Sequence, residues 1–418
     1  MNRRRFTQIF GAHFLGSGLL VPRETIAQSQ QERNFIFVFA DGGWDPCTVF
    51  APLFDNPHVD MLPDSEPMDI GDLRLVDSSM RPSVRDFFMH YGSDTVIFNG
   101  LDLETVSHER GKQIIMTGTT QGYDDWGAHI AHGSSNRNSH LIVSGPSFTT
   151  AYPDSIIRVG KRGQLRNLLK ADDEASQMIN RLGEQHVAQY LLNRTDGHIE
   201  RFSDPFAKHF AQTHQKALQQ QKRIMEEGPN INFDIDTNNV YGDCQDSFMM
   251  DLEVAISAME AGLIRSAIVE DYGFCGWRWD THYDLVEQSY HFELLFSGLN
   301  RLMEELHNRT DTQGVRLIEK TTVVVLSEMG RHPKLNYIGG KDHWPVTSMM
   351  VVGGLKGGRT VGAFDDQVVS GLIEPSTGEL YAGGEKLTAE HVGATLLALA
   401  DIDPASVTSA SPIWSLLS

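Results

Sequence analysis

The stretch TTVVVLSEMGRHPKLNYIGGKDHWP, residues 321–345, opens as a run of β-branched and apolar residues and then empties into Glu328, Arg331, His332, Asp342 and His343. An apolar run without alternation marks a strand buried on both faces. Such strands belong to sheets sandwiched between helices, and in open α/β sheets ligands gather beyond the carboxyl ends of the strands. The polar residues that follow TTVVVL therefore sit where chemistry is expected.

Outward from this stretch the same pattern recurs. NFIFVFA (34–40), TVIFN (95–99), HLIVS (140–144), SAIVE (266–270) and SMMVVGG (348–354) are short, branched or aromatic, and continuous. Helical periodicity lies between several of them, in RPSVRDFFMHY (81–91), DLEVAISAMEAGL (251–263), DLVEQSYHFELLFSGLNRLMEELHN (284–308) and LTAEHVGATLLALA (387–400). This alternation predicts an α/β chain, a three-layer αβα fold with a mostly parallel central sheet. Residues 160–245 are polar and rich in Gln, Arg and Asn, with a helical pattern and no convincing strand, and read as a helical cap or insertion. The rest of 31–418 reads as one domain.

The chain has 418 residues, 40% of them hydrophobic, and a formal charge of −20 from 55 acidic and 35 basic residues. That balance excludes nucleic acid as a partner, because phosphate backbones reward basic patches. At the N-terminus, MNRRRFTQIFGAHFLGSGLLVP carries three consecutive arginines before an aromatic and a weakly apolar, glycine-broken stretch. Residues 1–30 read as a twin-arginine-type export signal with cleavage near Ala27, too short in its apolar run for a stable membrane span. The expected partners therefore include the twin-arginine export machinery, and the expected location is periplasmic or secreted. Cys47, Cys244 and Cys275 are odd in number and form no C-x-x-C pair, so at least one thiol is unpaired within the chain and no zinc knuckle is implied.

Four strand ends carry chemistry. The first strand runs into ADGGWD, with Asp41 at its tip and two glycines that let backbone or a cation come close. TVIFN leads to the helix SHERGKQIIMTG, which opens at Ser107 and His108. SAIVE leads to DYGFCGWRWDTH, where Asp280 and His282 are two apart and, in an extended segment, share a face. The opening stretch adds Glu328, Arg331, Asp342 and His343. Carboxylates with imidazoles suit zinc, manganese or iron better than calcium. For Asp280 the bland reading is a turn acceptor, for Ser107 a helix cap, and for Arg331 a partner to a local acid rather than a clamp for a substrate oxyanion. GGLKGG (353–358) lacks the spacing of a dinucleotide fingerprint and reads as a turn. Trp126, His129 and His132 read as packing or surface residues on a helix, and His209, His214 and His307 carry no functional weight.

Taken in order, ADGGWD, SHERGKQIIMTG, WDTH, VVVLSEMGR and GGKDHWP resemble the exported members of the alkaline phosphatase and sulfatase superfamily, in particular a large bacterial group defined only as a domain of unknown function. The resemblance runs from about residue 33 onward. It implies an alkaline-phosphatase-like fold with a two-metal centre at the strand carboxyl ends. Asp41 then falls at the first-strand metal aspartate, Asp280 and His282 at an aspartate and histidine that hold one metal, and His343 at the late histidine that completes it. Where the superfamily has an acid followed by a histidine, this chain has Glu328 and Met329. Either Asp342 supplies the missing ligand or the site holds one ion, so the implied cofactor is one or two divalent ions, zinc or manganese. In the nucleophile slot stand Ser107, as a metal-activated alkoxide, or His108, as a covalent nucleophile or ligand. No cysteine has the Cys-x-Pro-x-Arg context of a formylglycine sulfatase. The implied function is hydrolysis of a small anionic ester or a sulfated or phosphorylated glycan; the alternative is a non-catalytic binding or surface-assembly protein that keeps the fold.

Overall fold

The computed structural model describes residues 32–122, 124–134, 139–152, 155–158 and 246–417, with single positions between 204 and 219. The expected export signal at 1–30 and nearly all of the expected insertion at 160–245, including Cys244, His209 and His214, lie outside the described residues.

Among the described residues the strands are β1 (Asn34–Ala40), β2 (Glu66–Ile70), β3 (Leu73–Asp77), β4 (Thr95–Asp102), β5 (Ser139–Ile142), β6 (Ile156–Arg158), β7 (Ile264–Asp271), β8 (Thr321–Ser327), β9 (Gly330–Arg331), β10 (His343–Trp344), β11 (Val346–Val352), β12 (Arg359–Val361), β13 (Leu372–Ile373) and β14 (Glu385–Lys386). Eight of them form one sheet in the order β12-β4-β11-β8-β1-β7-β5-β6. Every neighbouring pair is parallel except those made by β11, which runs antiparallel to both β4 and β8. The mostly parallel sheet is thus as the sequence implies, with SMMVVGG reversed. The reversal comes from the short antiparallel ladder of β9 and β10, which pairs His343 with Arg331 and Trp344 with Gly330. It turns the chain back at once, so β11 enters the sheet at the edge where β8 leaves it.

The helices are α1 (Pro46–Val49), α2 (Pro82–Tyr91), α3 (His108–Thr117), α4 (Trp126–His132), α5 (Asp246–Glu260), α6 (Glu287–Asn308), α7 (Leu317–Lys320) and α8 (Ala389–Leu399). They cover both faces of the sheet, as the unbroken apolar strands require. Along β1, Ile36, Val38 and Ala40 pack with α2, α5 and α6, whereas Phe35, Phe37 and Phe39 pack with α3, α4 and α8. Each fully buried valine, isoleucine or phenylalanine among them contributes about 1.5–3 kcal/mol. One exception to the expected pattern is the β2–β3 hairpin: EPMDI is mostly exposed and contains Pro67, so it carries no apolar strand signal.

Aromatic packing holds the strand-tip loops down. Trp44 stacks on Phe292 of α6 at 5.9 Å, meets Trp279 edge-on at 6.2 Å, and donates its indole N–H to Thr347 Oγ1 at 3.0 Å. The loop after β1 and the segment around Trp279 are thereby fixed on one hydrophobic platform.

Candidate metal centre

Register places the tips. Ala40 of β1 pairs with Ser327 of β8 on one side and Asp271 of β7 on the other, so Asp41 and Glu328 leave the sheet side by side. Of the glycines after Asp41, Gly42 makes room for backbone and Gly43 for the Met329 side chain. Gly42 has φ +132°, and a Cβ on it would lie 2.5 Å from the Asp280 backbone nitrogen. Trp279 donates its N–H to Asp41 O at 3.1 Å, which carries the segment 279–282 across the β1 tip. That segment is not the extended run the D-x-H spacing suggests: Thr281 N–H reaches back to Trp279 O and His282 N–H to Asp280 O. These are two overlapping three-residue turns, and they still bring both side chains together.

From the other side comes α3. Gly118, at φ +84°, ends it in the left-handed conformation with its N–H on Ile114 O. Gly111 faces β8 so closely that a Cβ there would run into the Glu328 carbonyl. The missing side chain lets the first turn of α3, with His108, reach the strand tip.

The result is a carboxylate surrounded by imidazoles. His282 Nε2 and His343 Nε2 each lie 3.0 Å from Asp280 Oδ1, and His108 Nε2 lies 3.5 Å from Asp280 Oδ2. Every one of these rings is held from behind. His108 Nδ1 meets Glu328 Oε1 at 2.7 Å, His343 Nδ1 meets Val106 O at 2.9 Å, and His282 Nδ1 meets Asp342 Oδ1 at 3.1 Å. Because a backbone carbonyl only accepts, His343 Nδ1 is the donor to Val106 O, and Nε2 is the ring atom turned to the site. His108, Asp280 and His343 offer ligand atoms within 4.8 Å of one another and form a group, among the described residues, that could hold a metal ion. Two imidazole nitrogens with a carboxylate oxygen, each ring fixed through its second nitrogen, fit such an ion. His282 Nε2, 3.1 Å from His343 Nε2, is placed to join them.

Electrostatics bind the group tightly. Burial alone would raise the Asp280 carboxyl, but hydrogen bonds from His108, His343 and Arg331 hold it far below the usual carboxylate range. The same contacts, Asp280 first and Glu328 second, push the His108 imidazole up to about 9. A cation bound here would compete with that proton.

The remaining candidates take distinct positions. Glu328 is 0% exposed; one carboxylate oxygen faces His108 and the other accepts from Gly42 N–H at 3.1 Å and Ser327 Oγ at 3.2 Å. Glu328 and Asp342 therefore stand behind imidazoles rather than beside Asp280. Arg331 is 2% exposed and directs its guanidinium at Gly42 O, Gly43 O, Trp279 O, Lys341 O and, at 2.7 Å, Asp280 Oδ1. Its donors all go to an acid and to backbone carbonyls, and none is turned to solvent. Asp41 is brought to the site edge but is paired, Oδ1 to Lys112 Nζ at 2.6 Å and Oδ2 to Arg278 Nη1 at 3.4 Å. Ser107 is exposed at the N-cap position of α3, and its side chain makes no capping hydrogen bond.

Several residues of this site escape a sequence reading. Lys112 lies one turn after His108, a spacing that was legible, although nothing in the sequence pointed that face at Asp41. Lys341, wholly buried, pairs with buried Asp45 at 2.7 Å and ties the loop carrying Asp342 and His343 to the β1 tip. Glu270, beside Asp41 at the end of β7, is pushed up to about 7 by burial and by the Asp41 charge. Outside the site, Cys47 is a buried free thiol and Cys275 is disulfide-bonded. Trp126 donates to Ile115 O at 3.0 Å and His132 stacks on Tyr152 at 3.9 Å, which is packing.

No curated protein matches the chain. Among solved structures it is similar to the integral membrane protein lipooligosaccharide phosphoethanolamine transferase A (EptA) from Neisseria meningitidis, at 9% identity and TM-score 0.38, over 90% of this chain and 56% of that one. It is also similar to BT1596, a 2-O GAG sulfatase, at 9% identity and TM-score 0.34, over 89% of this chain and 71% of that one. A third is BT4656, solved with its substrate D-glucosamine-2-N,6-O-disulfate, at 9% identity and TM-score 0.35, over 91% and 79%. The chain thus spans little more than half the length of EptA. A family match covers residues 88–409, most of the chain, and the protein belongs to DUF1501, a family described as a protein of unknown function.

Proposed function

We propose that the protein is an exported, metal-dependent hydrolase of the alkaline phosphatase and sulfatase superfamily that cleaves a phosphate or sulfate ester, either a small anionic ester or a decorated glycan. The observation that carries this reading is the common orientation of His108, His282 and His343, each with Nδ1 on an oxygen acceptor and Nε2 on Asp280. Packing does not require such convergence, whereas a zinc or manganese ion does.

A bound ion would supply Lewis acidity to the ester oxygens and favour ionisation of an attacking hydroxyl. The chain supplies the rest. Asp280, fixed by Arg331, and the imidazoles of His108 and His343 form the ligand set, with His282 alongside. His108 is thereby spent on the metal, which leaves Ser107 as the hydroxyl for attack. Ser107 is exposed at the amino end of α3, where unpaired backbone N–H groups and the helix dipole favour a developing anion.

The protein purified from the exported fraction should contain zinc or manganese, and should hydrolyse at least one member of a panel of aryl phosphate and sulfate esters. Asp280→Ala should abolish both, and Ser107→Ala should keep the metal while losing turnover. Protein with no transition metal, and no turnover when zinc or manganese is added, would defeat the proposal. A second reading, a binding or surface-assembly protein, is favoured by one observation: Asp41 is already ion-paired. Metal content without turnover across the panel would select it.

A further inference from the structure

The superfamily resemblance implies a second ion held by Asp41 and the residues around Glu328. Among the described residues, the donors present do not fit it. Both Asp41 oxygens face cations, Lys112 Nζ at 2.6 Å and Arg278 Nη1 at 3.4 Å. Both Glu328 oxygens are taken by His108 on one side and by Gly42 N–H and Ser327 Oγ on the other. Met329, where an imidazole would be needed, is fully buried and offers no nitrogen. Asp271 accepts from Gly273 N–H at 3.0 Å and Trp279 Nε1 at 3.1 Å. Glu270 shares a hydrogen bond with Asp41.

What stands at the Asp41 end of the site is an ammonium group. Lys112 follows His108 by one helical turn, so both project from the same face of α3. The close seat of Gly111 against Glu328 fixes that face toward the strand tips. The Lys112 side chain is 17% exposed, unlike Arg278 at 62%, which reaches Asp41 from solvent. A divalent ion at Asp41 would have to displace this ammonium or stand against it.

We propose that Lys112 is the second cation of this centre: its ammonium takes the place of an ion on Asp41, and the site formed by His108, Asp280 and His343 takes a single divalent metal. This rests on the metal-dependent reading above.

Metal stoichiometry tests it without reference to turnover. Full-length exported protein is loaded separately with zinc and with manganese and desalted, and metal per chain is measured by elemental analysis, with manganese also followed by paramagnetic resonance. The expected counts are one ion in the wild type, one in Asp41→Asn and none in Asp280→Ala. Lys112→Ala, which frees Asp41 Oδ1 and leaves Oδ2 with Arg278, should gain a second, weaker manganese that is lost again in the Lys112→Ala, Asp41→Asn double variant. Two ions in the wild type, falling to one in Asp41→Asn, would overturn the proposal and leave the hydrolase reading standing. A folded Lys112→Ala that stays at one ion would also overturn it. No ion in the wild type would defeat both. If thermal unfolding shows Lys112→Ala to be misfolded, the wild-type and Asp41→Asn counts decide alone.

Discussion

Glu328 Oε1 lies 2.7 Å from His108 Nδ1, joining the tip of β8 to the first turn of α3 across 220 residues of chain. The carboxylate cannot turn away, because its other oxygen accepts from Gly42 N–H at 3.1 Å. His108 is therefore aimed at Asp280 by a buried group that itself touches no solvent.

Replacement of Glu328 by Gln keeps the shape and removes one acceptor. An amide oxygen satisfies either the His108 side or the Gly42 side, and the NH2 group then faces a donor on the other. Glu328→Gln should weaken zinc binding about 10–100-fold, the usual effect of losing a carboxylate behind a metal-bound histidine. Stability should fall by about 1–3 kcal/mol for the unsatisfied buried donor. Asp342→Asn, whose partner His282 is held at the exposed rim, should cost less on both measures. Competition with a chelating dye reports the affinities, and an unchanged zinc affinity in Glu328→Gln would remove Glu328 from the centre.

A second buried group acts on the loop instead of a ring. Lys341 and Asp45 are both nearly inaccessible, and Lys341 directly precedes Asp342 and His343. Lys341→Met leaves the Asp45 carboxylate buried without its cation, a change that costs about 3–5 kcal/mol. Adding Asp45→Asn removes the stranded charge and should restore part of that loss in urea unfolding. Equal stability of the single and double variants would show that the pair contributes no net buried-charge energy.

How far the sequence revealed this molecule depends on what kind of fact is asked for. Burial on both faces writes continuous apolar runs, so NFIFVFA and TTVVVL were legible as central strands. Strand direction leaves no such trace: β11 is reversed by a two-pair ladder between Arg331 and His343, Gly330 and Trp344, whose effect exists only in three dimensions. Asp280, His282 and His343 could be picked out because ligand chemistry restricts residue type. The roles of Glu328 and Asp342 could not, since a carboxylate looks the same in sequence whether it faces an ion or the back of an imidazole. Lys112 was hidden for a related reason, its partner Asp41 being contributed by another element.

Asp271 gives the fold a pH dependence outside the ligand set. Burial pushes its carboxyl up to about 7, against hydrogen bonds from Gly273 N–H and Trp279 Nε1 that favour the ionised form. In the unfolded chain an aspartate titrates near about 3.9. The folded state thus binds the extra proton between about pH 4 and pH 7, and stability from this group is fully present below about 4 and lost as pH rises through 7. Asp271→Asn cannot ionise. The unfolding midpoint of the wild type, relative to that variant, should fall as pH is raised from 4 to 8. A pH-independent difference would show that Asp271 is ionised in the fold throughout.

Gly111 sets two effects against each other. It lies inside α3, where alanine is favoured over glycine by about 0.8–1.0 kcal/mol. A Cβ there would nevertheless collide with the Glu328 carbonyl, a backbone atom one residue beyond the end of β8 rather than the far end of a flexible side chain. Forced overlap in a packed interior costs about 1–3 kcal/mol, so the collision should exceed the gain in helix propensity. Gly111→Ala should therefore lower stability, and by pushing α3 outward it should lengthen the His108 to Glu328 contact and weaken zinc binding at the same time. Gly133, just past α4, is the contrasting case, since a Cβ there would meet the side chain of Ile402, 2.7 Å from its Cδ1, which can move. If Gly111→Ala is as stable as the wild type and binds zinc equally well, α3 does not depend on that close approach, and the placement of His108 by Gly111 is wrong.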